Sequence, residues 1–273
     1  MKQDVIRLEP GSFARHFWRD LWNYRELFFV LAWRDVSVRY KQTMIGLAWA
    51  LLRPFLTMVV FTVIFGKLIG LPTNAPYALL VFAGLLPWNL FSTSLAEAGN
   101  SLVANSNLIS KVYFPRVIIP TAAIVTSLVD FVVSLFILFG LMVWYRYYPE
   151  WQVFLLPVFA MMTTLAALGA GLYLSSMTAK YRDFRYIIPF ALQFGLYVSP
   201  VGFGSNIVPE VWRPLFDLNP LVGIIDGFRW CILRGQDGFN WQSFSISAAV
   251  IGLILWIGIR TFRSSQNTFA DII

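Results

Sequence analysis

Three observations predict an all-α polytopic membrane protein with six transmembrane helices. The 273 residues are 58% hydrophobic and only 13% charged, where a soluble domain carries about 25% charged residues. Mean hydropathy is +0.66. Six largely apolar stretches, at about 44–67, 76–97, 118–144, 153–177, 185–203 and 243–262, approach the roughly 20 residues a helix needs to cross a bilayer. Lysine and arginine gather in alternate connections, as expected where one face of the membrane collects positive charge. A bundle of this size is one membrane domain, residues 44–273, behind a short N-terminal segment, residues 1–43.

In that first segment Phe13, Phe17, Leu21, Tyr24, Phe28 and Leu31 recur at spacings of three and four, which is one helical face. Arg15, Arg19, Asp20 and Arg25 lie off the face, and Trp18 and Trp22 near its edge. The pattern predicts a cytoplasmic amphipathic interface helix lying in the headgroup plane. His16, the single histidine, falls on its polar or headgroup-facing surface. Basic residues recur through the first forty positions with no clean apolar run, so no signal-peptide core is expected. Spans one and two are joined by the turn Leu71-Pro72-Thr73-Asn74-Ala75-Pro76. Trp144, Tyr145, Tyr147, Tyr148 and Trp151, around the connection between spans three and four, form an interfacial aromatic belt.

Charge sets the orientation. Lys111 and Arg116, then Lys180, Arg182 and Arg185, then Arg260 and Arg263 mark the cytoplasmic connections and the C-terminus. The opposite side holds Lys67 and Arg146, and a long loop whose Arg213, Arg229 and Arg234 are offset by Glu210, Asp217, Asp226 and Asp237. Both termini are therefore expected in the cytoplasm. Within the long loop, residues 219–234 hold two apolar runs interrupted by Asp226 and Arg229, too short to cross. Short helices that enter the outer leaflet and return are expected there, under a cover of protein or a wet cavity.

Chemistry is sparse. No Gly-x-x-x-x-Gly-Lys-[Ser/Thr] and no Gly-x-Gly-x-x-Gly opening a helix occurs, so ATP hydrolysis is not expected of this chain alone. One cysteine, Cys231, excludes an internal disulfide and a cysteine zinc site. No clustered acids, histidines or nucleophile–base pair appear, which favours a conduit over an enzyme and predicts no metal or cofactor in the chain. The net charge of +7 marks the cytoplasmic face rather than a nucleic-acid partner. Asp130 lies midway along span three beside Thr126, Ser127 and Ser134. A charge at that depth faces the bundle interior. It serves either as a gate or substrate contact or in a helix–helix hydrogen bond, which a protonated carboxyl would also make. Arg53 either snorkels to the interface or lines the entry, where its planar fork suits a phosphate headgroup. Tyr186, Phe190, Phe194 and Tyr197 form a stripe on span five that either packs on neighbours and lipid or offers flat faces to sugar rings. Phe61 and Phe65 in span one are placed to share that lumen.

The order of these features resembles the ABC-2-type permeases that export polysaccharides and polyol phosphates. The resemblance rests on Arg39-Tyr40-Lys41-Gln42-Thr43 followed by Gly46, Trp49 and Pro54. It continues through residues 105–116 with Pro120, and through Leu218-Asn219-Pro220-Leu221 with Arg229 downstream. It is closest to the membrane subunits of O-antigen exporters, the Wzm type; capsule and teichoic-acid permeases share the signatures. The resemblance implies a homodimer of six-span protomers in the bacterial inner membrane, forming one channel for a lipid-linked polysaccharide. Two copies of a separate ATPase, which bind ATP and Mg, would lie below. It implies a coupling helix within 105–116, with Asn105, Leu108, Lys111, Phe114, Pro115 and Arg116 as contact residues, although Lys111 and Arg116 also read as plain positive-inside charges. It implies re-entrant helices over 205–234 that close the outer mouth, with Asn219, Pro220, Asp226 and Arg229 in the gate region. It favours the sugar-facing reading of the span-five stripe.

Two other classes compete. An ion-coupled transporter would show inverted repeats and several intramembrane charges, and an intramembrane transferase would carry a reactive constellation. Neither feature is found in the sequence. A permease for another large lipidic substrate remains the same-class alternative.

Overall fold

In hydrocarbon every backbone N–H and C=O needs a partner within the chain, which favours helices. The computed structural model describes residues 22–41, 46–70, 73, 75–235, 238–266 and 269, without the side chains of 46–50, and no strand occurs among them. Expectations that rest on Phe13, His16, Phe17 and Leu21, on Gln42, Thr43 and Trp49, on Leu71, Pro72 and Asn74, or on Asp237 lie outside those residues. In chain order the helices are α1 (Arg25–Lys41), α2 (Gly46–Phe61), α3 (Tyr77–Ala104), α4 (Ser106–Lys111), α5 (Ile118–Trp144), α6 (Leu156–Lys180), α7 (Phe184–Val198), α8 (Arg213–Asp217), α9 (Pro220–Ile232) and α10 (Trp241–Ser265). A π-helical turn, Thr62–Leu68, continues α2, and a 3₁₀ turn, Trp151–Leu155, leads into α6.

Among the described residues, five segments are long and apolar enough to cross a membrane: Leu51–Leu68, Tyr77–Ala104, Ile118–Trp144, Trp151–Lys180 and Trp241–Ser265. The sixth expected span, 185–203, is realised as α7, which has only 15 residues. At 1.5 Å per residue it is about 22 Å long, short of a hydrocarbon core about 30 Å thick. The stop is local. A proline disfavours the α region for the residue before it, and Ser199, preceding Pro200, is extended with ψ 150°.

Helix α3 is the axis of the bundle. Ala78 to Trp88 are all buried, and this half of α3 packs with residues of α5, α6 and α9 in one large apolar core. Between helices in lipid, packing rather than a hydrophobic drive holds the contact, so small residues let backbones approach. Gly169 of α6 is such a point: a Cβ there would stand 2.6 Å from Leu255 Cα of α10. Helix α9 is buried among α3, α6 and α10, with Val222, Ile224, Ile225, Phe228 and Cys231 inaccessible. Most of its residues are covered by protein, with Asp226 and Trp230 partly buried, which suits a segment too short to cross.

A second apolar cluster lies where α4 joins the bundle. It gathers Leu31 and Ala32 of α1, Ile109 of α4, Phe114, the first turns of α5, Leu172 of α6, Phe262 of α10 and Phe269. Helix α1 is thus fastened by one face. Its other side is also apolar: Phe29, Val30, Trp33 and Val38 are all more than half exposed. Arg25, Glu26 and Arg34 are exposed as well. The last turn of α1 reaches an acid twelve residues into α5, about 18 Å along that helix, so α1 runs beside α5. The periodicity of Tyr24, Phe28 and Leu31 reveals a face but not what covers it.

Of the expected aromatic belt, Trp144, Tyr145, Tyr148 and Trp151 are exposed, but Tyr147 is buried. Its hydroxyl donates to the Leu233 carbonyl at 3.1 Å, closing the end of α9.

Candidate functional site

The residues expected at the ATPase contact divide into two groups. Helix α3 ends at Asn105, whose amide Nδ2 donates back to the Ser101 carbonyl at 2.9 Å. The six-residue α4 follows, and the chain turns extended at Val112. Phe114 and Pro115 are buried, and Leu108 is partly buried against the second cluster. Arg116 donates to the Gln266 carbonyl at the end of α10. These four hold the loop in place. The surface it presents is Asn107, Ser110, Lys111, Val112 and Tyr113, all exposed. The turn into α5 folds Phe114 and Pro115 inward. Val112 and Tyr113, each 50% exposed, are the apolar side chains of that surface.

The span-five stripe is an exposed aromatic surface among the described residues. Tyr186 is 81% exposed, Phe190 71%, and Phe194 and Tyr197 63% each. The opposite side of α7 carries the buried Ile188 and a glycine, Gly195, whose added Cβ would stand 2.9 Å from the Trp88 ring. One face of α7 therefore docks on α3 and leaves the other free. Helix α2 behaves likewise: Pro54 and Met58 are buried while Leu52, Phe55, Leu56 and Val60 are exposed. Arg53 is exposed on α2, and its guanidinium has no partner among the described residues. Phe61 and Phe65 pair at 5.5 Å between centroids and close over Gly202, where a Cβ would meet the Phe61 ring. They are half-buried and join the end of span one to the turn after α7.

The turn after α7 is held from below by α9. Arg229, only 5% exposed, donates through Nη1 to the Phe203 carbonyl at 2.7 Å and through Nη2 to the Val201 carbonyl at 3.0 Å. Its Nε lies 3.4 Å from the Leu80 carbonyl of α3. The planar fork suits this divided task. Asp226, one turn earlier, accepts from Ser205 at 2.7 Å. Burial pushes its carboxyl above the usual carboxylate range, against the pull of the Arg229 guanidinium and the Ser205 hydroxyl. Asn219 caps α9, its side-chain oxygen accepting from Leu221 N at 3.1 Å, and its amide donates to Ser199. Pro220 follows at the first helical position, where its missing N–H costs nothing. Asn219, Asp226 and Arg229 thus tie the turn after α7 to α9 and α3, and Pro220 begins α9.

Asp130 has partners that spacing could not reveal. Arg39 Nη2 stands 2.9 Å from its Oδ2, and the Tyr40 hydroxyl donates to its Oδ1. Burial, with that hydrogen bond, holds the Tyr40 phenol well above its ordinary range, so it remains a donor. Asp130 therefore stands between the Arg39 guanidinium and the Tyr40 hydroxyl. Glu97 of α3 lies 3.4 Å from the other side of Arg39. Five residues earlier on α1, Arg34 donates to Asn105 at 2.8 Å. Arg39 and Tyr40 stood in the opening signature; only the fold pairs them with Asp130. No three His, Cys, Asp or Glu side chains gather to hold a metal among the described residues.

Residues 26–233 match the family described as ABC-2 type transporter. The chain is 31% identical over 258 residues to the O-antigen export system permease protein RfbA of Myxococcus xanthus, across 93% of this chain and 98% of that protein. It is 26% identical over 253 residues to RfbA of Klebsiella pneumoniae, across 91% and 95%. Identity to the inner membrane transport permease YadH of Escherichia coli K12 is 25% over 232 residues, across 80% of this chain and 90% of that protein.

Proposed function

Because the chain belongs to the ABC-2 type transporter family, we infer that it is the membrane permease subunit of an ATP-driven exporter, moving a lipid-linked, O-antigen-like polysaccharide across the bacterial inner membrane in lipopolysaccharide biosynthesis. The observation that carries the substrate class is the free aromatic face of α7. A sliding polymer needs many weak contacts, and flat rings supply them without a deep pocket. The names of the two RfbA relatives support the same substrate. Two copies of the chain face each other in this reading, covering the apolar surfaces of α2 and α7 around one channel. Arg53 meets the phosphate of the lipid carrier at the entry. The hairpin held by Asn219, Asp226 and Arg229 closes the outer mouth. Both termini lie in the cytoplasm. There Lys111, Val112 and Tyr113 dock on one of two ATPase copies, which bind ATP and Mg.

The test is reconstitution of the full chain with its ATPase in proteoliposomes loaded with lipid-linked glycan. ATP-dependent appearance of glycan across the bilayer is expected. Steady ATP turnover that moves lipid without moving glycan would overturn the substrate assignment and favour a different lipidic cargo; capsule and teichoic-acid precursors are the natural comparison substrates.

A further inference from the structure

We propose that Arg39 and Asp130 form a latch that makes α1 a lever, carrying displacement of the α4 loop directly to span three. The proposal rests on the exporter reading only for its final readout. Helix α1 is attached at two points on one rod. Arg34 grips Asn105, the joint between α3 and α4, at 2.8 Å. Arg39, five residues or about 7.5 Å further along, grips Asp130 at 2.9 Å, with Tyr40 as a second donor to the same carboxylate. On the N-terminal side of Arg34, Leu31 and Ala32 seat the rod in the cluster that also holds Ile109 and Phe114. A push on the loop at Asn105 therefore has a rigid path to the middle of span three that bypasses the turn at Pro115. Coupling of this kind needs packed elements linked at both ends.

The two acids around Arg39 are not equivalent. The Asp130 side chain is 16% exposed and that of Glu97 50%. A pair at 3.4 Å with a half-exposed partner contributes little, whereas a charge left alone beside a mostly buried one is costly. Asp130 is thus the fixed end of the latch. Glu97, on span two, is a contact that Arg39 can leave as the lever moves.

Two readouts test the latch in the full-length chain. Ala32→Cys places a thiol at a site 5% exposed, and the native Cys231 is fully buried, so maleimide labelling reports detachment of α1. In the chain alone, Asp130→Asn should raise the labelling rate at least tenfold. The exchange Arg39→Asp with Asp130→Arg should return it to within about threefold of the unexchanged chain. In the complex with its ATPase, Asp130→Asn should lower substrate-stimulated ATP turnover about tenfold, and the exchange should recover most of it. Labelling unchanged by Asp130→Asn would overturn the latch. So would full stimulation in a chain whose α1 has detached, or a folded exchange variant that recovers neither readout. If the unaltered complex shows no stimulation, the exporter reading fails, and labelling still decides the latch.

Discussion

Replacing Gly169 by alanine offers a sharp test of the helix packing. Its Cβ would stand 2.6 Å from Leu255 Cα, 2.7 Å from Leu255 N and 2.9 Å from Ile254 C. Ordinary contact begins near 3.4 Å, so α6 and α10 must part by 3.4 − 2.6 = 0.8 Å. All three obstructing atoms are backbone, and no rotamer change relieves them. Overpacking of this kind costs about 1–3 kcal/mol, and unyielding backbone on the far side puts this site toward the upper end. Alanine returns about 1 kcal/mol of helix propensity, leaving a net loss of about 1–2 kcal/mol. Gly252 lies on α10 and Gly140 on α5, each with nothing within 4 Å of an added Cβ. Alanine there should be neutral or stabilising by up to about 1 kcal/mol. The two classes should therefore differ by about 2 kcal/mol, up to a 30-fold change in the folded-to-unfolded ratio. Unfolding of the purified chain by graded denaturing detergent reads this difference. If Gly169→Ala proves as stable as Gly252→Ala, the close approach of spans four and six is wrong.

Three further outcomes are expected. Phe190→Ala with Phe194→Ala should leave stability within about 0.5 kcal/mol, as for exposed positions, while cutting glycan export severely; leucine at both positions exporting normally would assign the stripe to packing. Arg229→Ala should cost about 3–5 kcal/mol, leaving buried carbonyls unpaired, and Arg229→Lys should recover only part, because an ammonium cannot span the Val201 and Phe203 carbonyls as a planar fork does; proteolysis of the 199–213 turn would report the loosening, and an unchanged cleavage rate in Arg229→Ala would refute the clamp. Val112→Asp or Tyr113→Asp should keep the chain folded but weaken binding to the ATPase, whereas Phe114→Asp should destabilise the loop by burying a lone charge; equal stability losses in all three would contradict the division between presented and buried residues.

Much of the candidate site was legible because it depends on local chemistry. The asparagine–proline start of α9 and the spacing of the α7 rings are properties of neighbouring residues. Helix α7 shows both sides of this. Its aromatic face followed from a repeat of three and four, and its early end was signalled by Pro200, yet average hydropathy across 185–203 conceals the stop. The loop at 105–116 shows the opposite. Its motif marks the segment, but which residues face outward depends on how the chain turns at Phe114 and Pro115.

The sequence by itself determined that the chain lies in a bilayer, where five of its long apolar helices fall, that it lacks a phosphate loop, and which segments carry the family's signatures. These follow from composition and from short-range geometry, since transfer of twenty apolar residues into lipid is set by the residues themselves. Only the tertiary structure decided the pairing of Arg39 with Asp130, of Tyr40 with Asp130, 90 residues apart, and of Arg229 with the Leu80 carbonyl, 149 apart. It also decided that Phe114 is buried while Val112 is exposed. Such contacts depend on which helices become neighbours. That is settled by small residues such as Gly169 admitting one close approach among many that hydrophobicity alone would permit.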